Sequence, residues 1–231
     1  MKTASLLLRA RRWAILPLLM LATGCLTIEE NYTFKKDGSG TMEYVVDMSA
    51  VAELMKSMED MGGKDKEKSD DGLGAMDMKD DAGKLSNIPG IKKVKVKREK
   101  DGYVQRLSFK FKDIDALNAA LNVLMPDSTG KQTRFFTWEG NTLVRTNNRH
   151  ATELGGDMAE DEGNDSLNMN GMLQSMQYKY SFAFADEVAD TQVREGMLKE
   201  TPSTKKVLLN TDWSVIMKDP QVLDLRIALK K

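Results

Sequence analysis

Cysteine and histidine are nearly missing from this chain of 231 residues, which has one of each. A single Cys excludes disulfides within the chain and thiolate–zinc sites, and a single His excludes metal sites built from several imidazoles. The formal net charge is −1, which argues against a dedicated nucleic-acid-binding protein. Beyond the N-terminus, no apolar run approaches the roughly 20 residues of a membrane span. The sequence therefore indicates neither a cofactor nor a reaction.

The N-terminus has the layout of a secretory signal peptide. Residues 1–24 carry four basic side chains and no acidic one, and an apolar run from Trp13 to about Ala22 follows the basic cluster. This run is shorter than a typical transmembrane helix, and small residues close it. We therefore predict that residues 1–24 are a signal peptide that is removed.

The segment from Leu21 to Cys25 resembles the lipobox of bacterial lipoproteins, in which the Cys is diacylated and becomes the new N-terminus. Ala22 stands three residues before Cys25, where the family usually has Leu, and Leu21 stands one place earlier. The resemblance implies that Cys25 is the lipidation site. The alternatives are that Cys25 is a buried Cys after an ordinary signal peptide, or that residues 6–22 stay attached as an anchor.

Removal of residues 1–24 would leave 207 residues, and the loss of four positive charges would take the net charge from −1 to −5. An anionic membrane would weakly repel such a body, so attachment would depend on the lipid. Several acyl chains give stable attachment where a single chain is marginal. We expect a lipid-anchored protein of the bacterial cell envelope, on the periplasmic side of the outer membrane rather than on the cell surface.

The body, residues 25–231, is expected to be a single α+β domain built from repeated ββα units. Alternating apolar residues flank Asp-Gly turns at residues 37–40 and 100–102, a pattern typical of β-hairpins. Apolar residues at helical spacing follow each hairpin, at residues 51–61 and 114–124. A third hairpin is predicted at residues 135–145 and further strands near the C-terminus. We expect an antiparallel sheet with two or three helices packed on one face.

Two segments are predicted to be flexible insertions, at about residues 62–86 and 146–168. Both are rich in charged or polar residues and poor in apolar ones. The acidic residues of the first segment do not follow the spacing of an EF-hand calcium loop. The only histidine, His150, lies in the second segment and is not expected to be catalytic.

A basic strand is predicted at residues 92–100, where five Lys and one Arg occur. These side chains could bind lipid headgroups or an acidic polymer. They could equally form a solvent-exposed face or protect the edge of a sheet from pairing with another strand.

The mature sequence resembles a family of Bacteroidetes envelope lipoproteins. The resemblance rests on Cys25 and on the segments at residues 32–49, 111–121, 178–184 and 212–230. The first hairpin, with its Asp-Gly-Ser-Gly turn, is also distantly similar to the LppM-type domain of actinobacterial lipoproteins. That similarity implies an α+β fold and a link to lipid or glycolipid binding. The resemblance to the Bacteroidetes family transfers no catalytic residue.

Three functions are compatible with these patterns. The first is a non-enzymatic lipoprotein that binds an envelope protein partner or supports assembly. The second is a carrier or sensor of a lipid or glycan, with an apolar groove between sheet and helices lined by Tyr32, Phe109, Phe111 and Trp138. The third is a hydrolase that uses a carboxylate pair or a Ser-Lys dyad, although no spacing singles out such a pair. We predict no enzyme, no metal and no nucleic-acid partner.

Overall fold

A computed structural model of the chain describes residues 26–50, 52–53, 78–148, 150–151, 171 and 173–230. These residues form eleven strands in two sheets, with helices packed against them, which confirms the α+β fold class. The predicted signal peptide and Cys25 lie outside the described residues. So do residues 54–61 of the first predicted helix, although residues 49–50 and 52–53 are helical.

The strands and helices are numbered in chain order. The strands are β1 (Thr27–Phe34), β2 (Gly40–Asp47), β3 (Ile91–Glu99), β4 (Val104–Phe111), β5 (Phe136–Glu139), β6 (Thr142–Arg145), β7 (Gln177–Phe184), β8 (Val188–Val193), β9 (Leu198–Ser203), β10 (Lys206–Asp212) and β11 (Leu225–Leu229). The α-helices are α1 (Met78–Ser86), α2 (Ile114–Leu124) and α3 (Trp213–Lys218), and 3₁₀ turns occupy Lys100–Gly102 and Pro220–Leu223.

The larger sheet has seven strands in the order β3-β4-β2-β1-β7-β10-β9, and the smaller has four in the order β5-β6-β11-β8. The predicted hairpins β1-β2, β3-β4 and β5-β6 all form. The expected single antiparallel sheet needs correction in two respects. The third hairpin belongs to a second sheet, and β1 pairs with β7 in parallel. Parallel partners need a long crossover, so local turn signals do not reveal them.

Helix α2 forms as the sequence predicts. The Asp113 carboxylate accepts a hydrogen bond from the backbone N–H of Ala116 at 2.9 Å, which caps the first turn. The helix buries Leu117 and Leu121, which lie one turn apart on one face, against the core. Together with α1 it covers β3 and β4.

The prediction of a flexible insertion at residues 62–86 is wrong for its last nine residues, which form α1. Met78 and Leu85, seven residues apart, lie on one face of the helix and are buried in the core. Two buried apolar side chains in a charged segment give a weak sequence signal, so the helix depends on packing rather than on intrinsic propensity.

The prediction of a loop at residues 146–168 also needs correction at its start. Asn148 and Ala151 are buried, and the backbone N–H of Ala151 donates to the Asn148 carbonyl at 3.1 Å. This part of the segment is therefore packed into the domain. The rest of it, from residue 152, lies outside the described residues.

Aromatic side chains fill the centre of the core. The parallel register sets Tyr32 beside Phe182 and Phe34 beside Phe184, with ring centroids 5.2 and 5.6 Å apart. Phe136 of the smaller sheet contacts Tyr32 edge-on, at 5.0 Å. Each such pair adds about 0.5–1.5 kcal/mol beyond the burial of its area. The aromatic contacts thus join the two sheets.

Candidate functional site

The predicted acylation site adjoins the folded domain directly. Leu26 is buried, with 4% of its surface exposed, and its carbonyl accepts a hydrogen bond from the backbone N–H of Gln177 at 2.8 Å. Strand β1 begins at the next residue, Thr27. The first residue after Cys25 is thus already fixed to the sheet.

The side chains that were expected to line an apolar groove belong to the core. Tyr32, Phe109 and Phe111 are at most 2% exposed. Trp138 is half-buried, with its ring 5.8 Å from that of Phe34. At these positions the side chains are packed into the core and do not line an open groove.

A buried ion pair crosses from the larger to the smaller sheet. The Arg145 guanidinium donates to both carboxylate oxygens of Glu30, from Nη1 at 2.8 Å and from Nη2 at 2.9 Å. Both side chains are completely buried. Arg145 also donates from Nε to the Asn148 side-chain oxygen at 3.1 Å, and its guanidinium lies 4.8 Å from the Tyr180 ring centroid. This geometry satisfies the charged groups that burial takes away from water.

Two phenols complete the surroundings of the carboxylate. Tyr32 and Tyr178 each donate a hydrogen bond to Glu30. Burial, reinforced by the negative charge of Glu30, holds the pKa of both phenols well above the ordinary value, so both stay protonated. Burial acts to lower the pKa of Arg145, but the pKa is raised, because attraction to Glu30 and to the neighbouring phenols of Tyr180, Tyr32 and Tyr178 together outweighs burial. Four donors thus occupy the two oxygens of Glu30, which leaves little room for a further hydrogen bond from a substrate.

His150 lies at the border of this cluster. Its Nε2 is 3.2 Å from the Tyr178 hydroxyl oxygen. Because that hydroxyl donates to Glu30, Nε2 is assigned as the protonated nitrogen, which leaves Nδ1 as an acceptor. Burial, together with repulsion from Arg145, lowers the pKa of His150 to about 3. The imidazole is therefore neutral at physiological pH, and no described residue bonds to its Nδ1.

The charged cluster was missed in the sequence, although one signal was present. Glu30 has the same parity in β1 as the buried residues Ile28, Tyr32 and Phe34, so the alternating pattern points an acid inward. An inward charge needs a buried partner. The pattern does not identify Arg145, which stands at the end of a short strand 115 residues away.

The predicted basic strand is β3, at one edge of the larger sheet. An extra residue between Lys92 and Lys95 makes a β-bulge, in which Lys93 has a φ of 56°. Lys92 lies directly opposite Lys110 of β4. All four lysines are exposed, and no described residue forms an ion pair with any of them. We call Lys92, Lys93, Lys95 and Lys110 the basic patch.

A polar cleft separates β8 of the smaller sheet from β9, the other edge of the larger sheet. Its volume is about 510 Å³. The Lys199 ammonium donates across it to the backbone carbonyl of Thr191 at 3.0 Å. The Thr191 hydroxyl is buried and has no partner among the described residues. The cleft is further lined by Val188, Ala189, Asp190, Thr201, Ser203 and Thr204.

The described part of the chain offers no group of three or more acidic, His or Cys side chains that could hold a metal ion. None of its helices is long and apolar enough to span a membrane.

Comparison with known proteins gives a likeness to a solved structure. No family model matches the chain, and no curated protein matches it. Among solved structures, the chain is similar to the folded domain of the LppM protein of Mycobacterium tuberculosis, determined by NMR. The TM-score is 0.46 and the sequence identity 12%, over 90% of this chain and 91% of that one. This structural similarity is weak, and kinship with Bacteroidetes lipoproteins stays a prediction.

Proposed function

We propose that the chain is a lipid-anchored lipoprotein of the bacterial cell envelope, acylated on Cys25, and that its folded domain is a non-catalytic binding or assembly module. The observation that carries this proposal is the position of Leu26. The signal-peptide pattern ends at Cys25, and the next residue, Leu26, is already buried and hydrogen-bonded to the sheet. Cleavage before Cys25 would leave every described residue in the mature chain.

The state of the buried ionisable groups supports a non-catalytic role. Glu30 is the one fully buried carboxylate among the described residues, and donors already occupy both of its oxygens. His150 is neutral and contacts a phenol that is itself engaged with Glu30. Groups held in this way stabilise a core, whereas a general acid or base must exchange a proton with a substrate.

The basic patch is the surface on which a partner is best placed. Lys92 and Lys110 lie directly opposite one another on neighbouring strands and repel. An acidic partner would therefore relieve this repulsion and also attract both side chains. A bulged, lysine-rich edge also resists pairing with another strand. A partner of this patch would therefore dock through charged side chains, as an acidic envelope protein can.

Membrane fractionation of cells that express the full chain tests the anchor. The wild type is expected in the membrane fraction and in the detergent phase of a Triton X-114 extraction. Residues 26–231, exported behind an ordinary secretory signal peptide, are expected to lose both properties while the fold survives, because β1 begins at Thr27. A Leu21→Ala variant of the full chain, which keeps the thiol, serves as a control for processing. Equal partitioning of the wild type and residues 26–231 would overturn the proposal.

The polar cleft favours a second candidate function, the binding of a glycan. Its volume of about 510 Å³ lies within the range of small-ligand sites, and its hydroxyl groups match a polyhydroxylated ligand. Native mass spectrometry of residues 26–231, exported behind an ordinary signal peptide and purified from the periplasm without detergent, tests this candidate. A glycan adduct that a Thr191→Val variant loses would support it. A mass free of adducts would count against it.

A further inference from the structure

The junction at Leu26 bears on how the domain sits on its membrane. Acylated Cys25 would be the first residue of the mature chain, and Leu26, the second, is buried and bonded to β7. One peptide unit spans about 3.8 Å. A domain attached in this way has almost no flexible tether between its lipid and its sheet.

The register of the larger sheet identifies the surface that such an attachment brings to the bilayer. Thr27 lies opposite Asp47 of β2 and Gln177 of β7. Gln177 in turn lies opposite Asp212, and the Lys100–Gly102 turn between β3 and β4 falls at the same end of the sheet. We call this end, formed by Asp47, Lys100–Gly102, Gln177 and Asp212, the proximal rim.

We propose that the proximal rim rests on the headgroups of the bilayer that holds the lipid of Cys25, with β1 directed away from the membrane. This inference rests on the proposed acylation. Strand β1 leaves the rim at Thr27 and ends at Phe34, which lies about 23 Å farther along the strand. The turn after Phe34 is therefore the part of this hairpin that is held farthest from the bilayer.

The chemistry of the rim suits a headgroup layer. The carboxylates of Asp47 and Asp212 accept hydrogen bonds from their own chain, at 2.9 Å from the backbone N–H of Ser49 and of Ser214. The Lys100 ammonium donates to the Ser49 hydroxyl at 3.0 Å. Polar side chains whose charges are engaged locally can lie against phosphates and water without insertion into the hydrocarbon.

The orientation also determines where the basic patch is displayed. Lys92 and Lys110 align across the sheet with Thr41 and Thr33, six residues beyond Thr27. That is a height of about 20 Å along the strand. The patch is therefore held above the anchoring bilayer, where a partner approaches it from the aqueous compartment.

Energy transfer from single labelled sites to the bilayer tests the orientation. Acylation blocks Cys25, the one native thiol, so an introduced cysteine is the only free thiol of the mature protein. Lys97→Cys reports from near the rim, and Lys36→Cys reports from the far turn; both lysines are exposed, at 71% and 76%. The acylated variants carry the same donor dye in vesicles of phosphatidylethanolamine and phosphatidylglycerol that contain a headgroup-labelled acceptor lipid.

Transfer from position 97 is expected to exceed transfer from position 36 by at least about twofold, because the two sites differ in height by roughly 20 Å. Insertion of ten Gly-Ser residues between Cys25 and Leu26 should reduce the difference, since such a linker spans about 17 Å. Intact mass of the same samples separates the two proposals. Acylated protein with equal transfer from both positions overturns the orientation alone, whereas an unacylated mass overturns the proposed anchor and the orientation with it.

Discussion

Glu30 and Arg145 lie 115 residues apart in the chain and form a completely buried, two-point ion pair between the two sheets. Loss of one partner from such a pair leaves an uncompensated charge in the core, whereas loss of both often costs little. The pair therefore makes the two sheets mutually dependent. This dependence can be measured.

Replacement of Arg145 by Met should lower the free energy of unfolding by about 3–5 kcal/mol, because Glu30 then stays buried without its counterion. The double variant Arg145→Met/Glu30→Leu should recover much of that loss. Arg226→Met breaks an exposed pair with Glu139 and should cost at most about 1 kcal/mol. Urea unfolding at neutral pH measures all three. Equal losses for Arg145→Met and Arg226→Met would contradict the structural role of the buried pair.

His150 should make the protein sensitive to acid. Its pKa is about 3 in the folded protein and about 6.5 in the unfolded chain. Between these values only the unfolded chain binds the proton, so stability should decrease as the pH falls through this window, by about 1.4 kcal/mol per unit. Above pH 6.5 this contribution is constant.

The contribution of His150 is isolated by comparison with a His150→Gln variant, which cannot gain the charge. The difference in unfolding free energy between wild type and variant, followed from pH 6 to pH 4 by urea denaturation, should shrink or change sign as the pH falls. A difference that is independent of pH would show that the imidazole is solvated in the folded state.

Gly40 should be intolerant of any side chain. A Cβ atom there would lie 2.0 Å from the Thr33 carbonyl oxygen and 2.4 Å from the Phe111 ring. Gly40→Ala should therefore destabilise the β1-β2-β4 region by several kcal/mol or prevent folding. Gly83→Ala, in α1, meets no atom within 4 Å and should stabilise by about 0.5–1 kcal/mol through helix propensity. Thermal unfolding of both variants measures these changes. A Gly40→Ala variant as stable as the wild type would contradict the close approach of Gly40 to Thr33 and Phe111.

Repulsion between Lys92 and Lys110 of the basic patch should lower the stability of the fold, and salt should weaken this repulsion. Lys110→Glu places an acid opposite Lys92 and should raise stability by up to about 1 kcal/mol at low ionic strength, less in high salt. Lys206→Glu is the matched control, since its partners across the strands are Ala183 and Ser203. Equal responses of the two variants would contradict a repulsion between Lys92 and Lys110.

Local sequence patterns were sufficient for the hairpins and for α2. Alternation around short Asp-Gly turns and the capping residue Asp113 are encoded within about ten residues of chain. The parallel pairing of β1 with β7 is different, because it depends on which strand edges stay unpaired after the hairpins form. Helix α1 was missed for a related reason, since Met78 and Leu85 are the only buried residues of this described helix.

The buried cluster shows where a pattern can mislead. Ile28, Tyr32 and Phe34 define the inward face of β1, and Glu30 shares that face. An acid at an inward position predicts a buried partner, but pattern alone cannot choose Arg145 among 34 basic residues. The partner of Glu30 is determined by long-range pairing of strands, which is known only from the folded structure.

The mass of the N-terminal peptide of the protein recovered from bacterial membranes tests the central claim most directly. The expected peptide begins at Cys25 and carries the added mass of a diacylglyceryl group, with a further acyl chain where the host adds one. Cys25→Ala is expected to yield no acylated peptide. A mature N-terminus that begins elsewhere, or an unmodified Cys25 thiol, would contradict the lipid anchor and the orientation inferred from it.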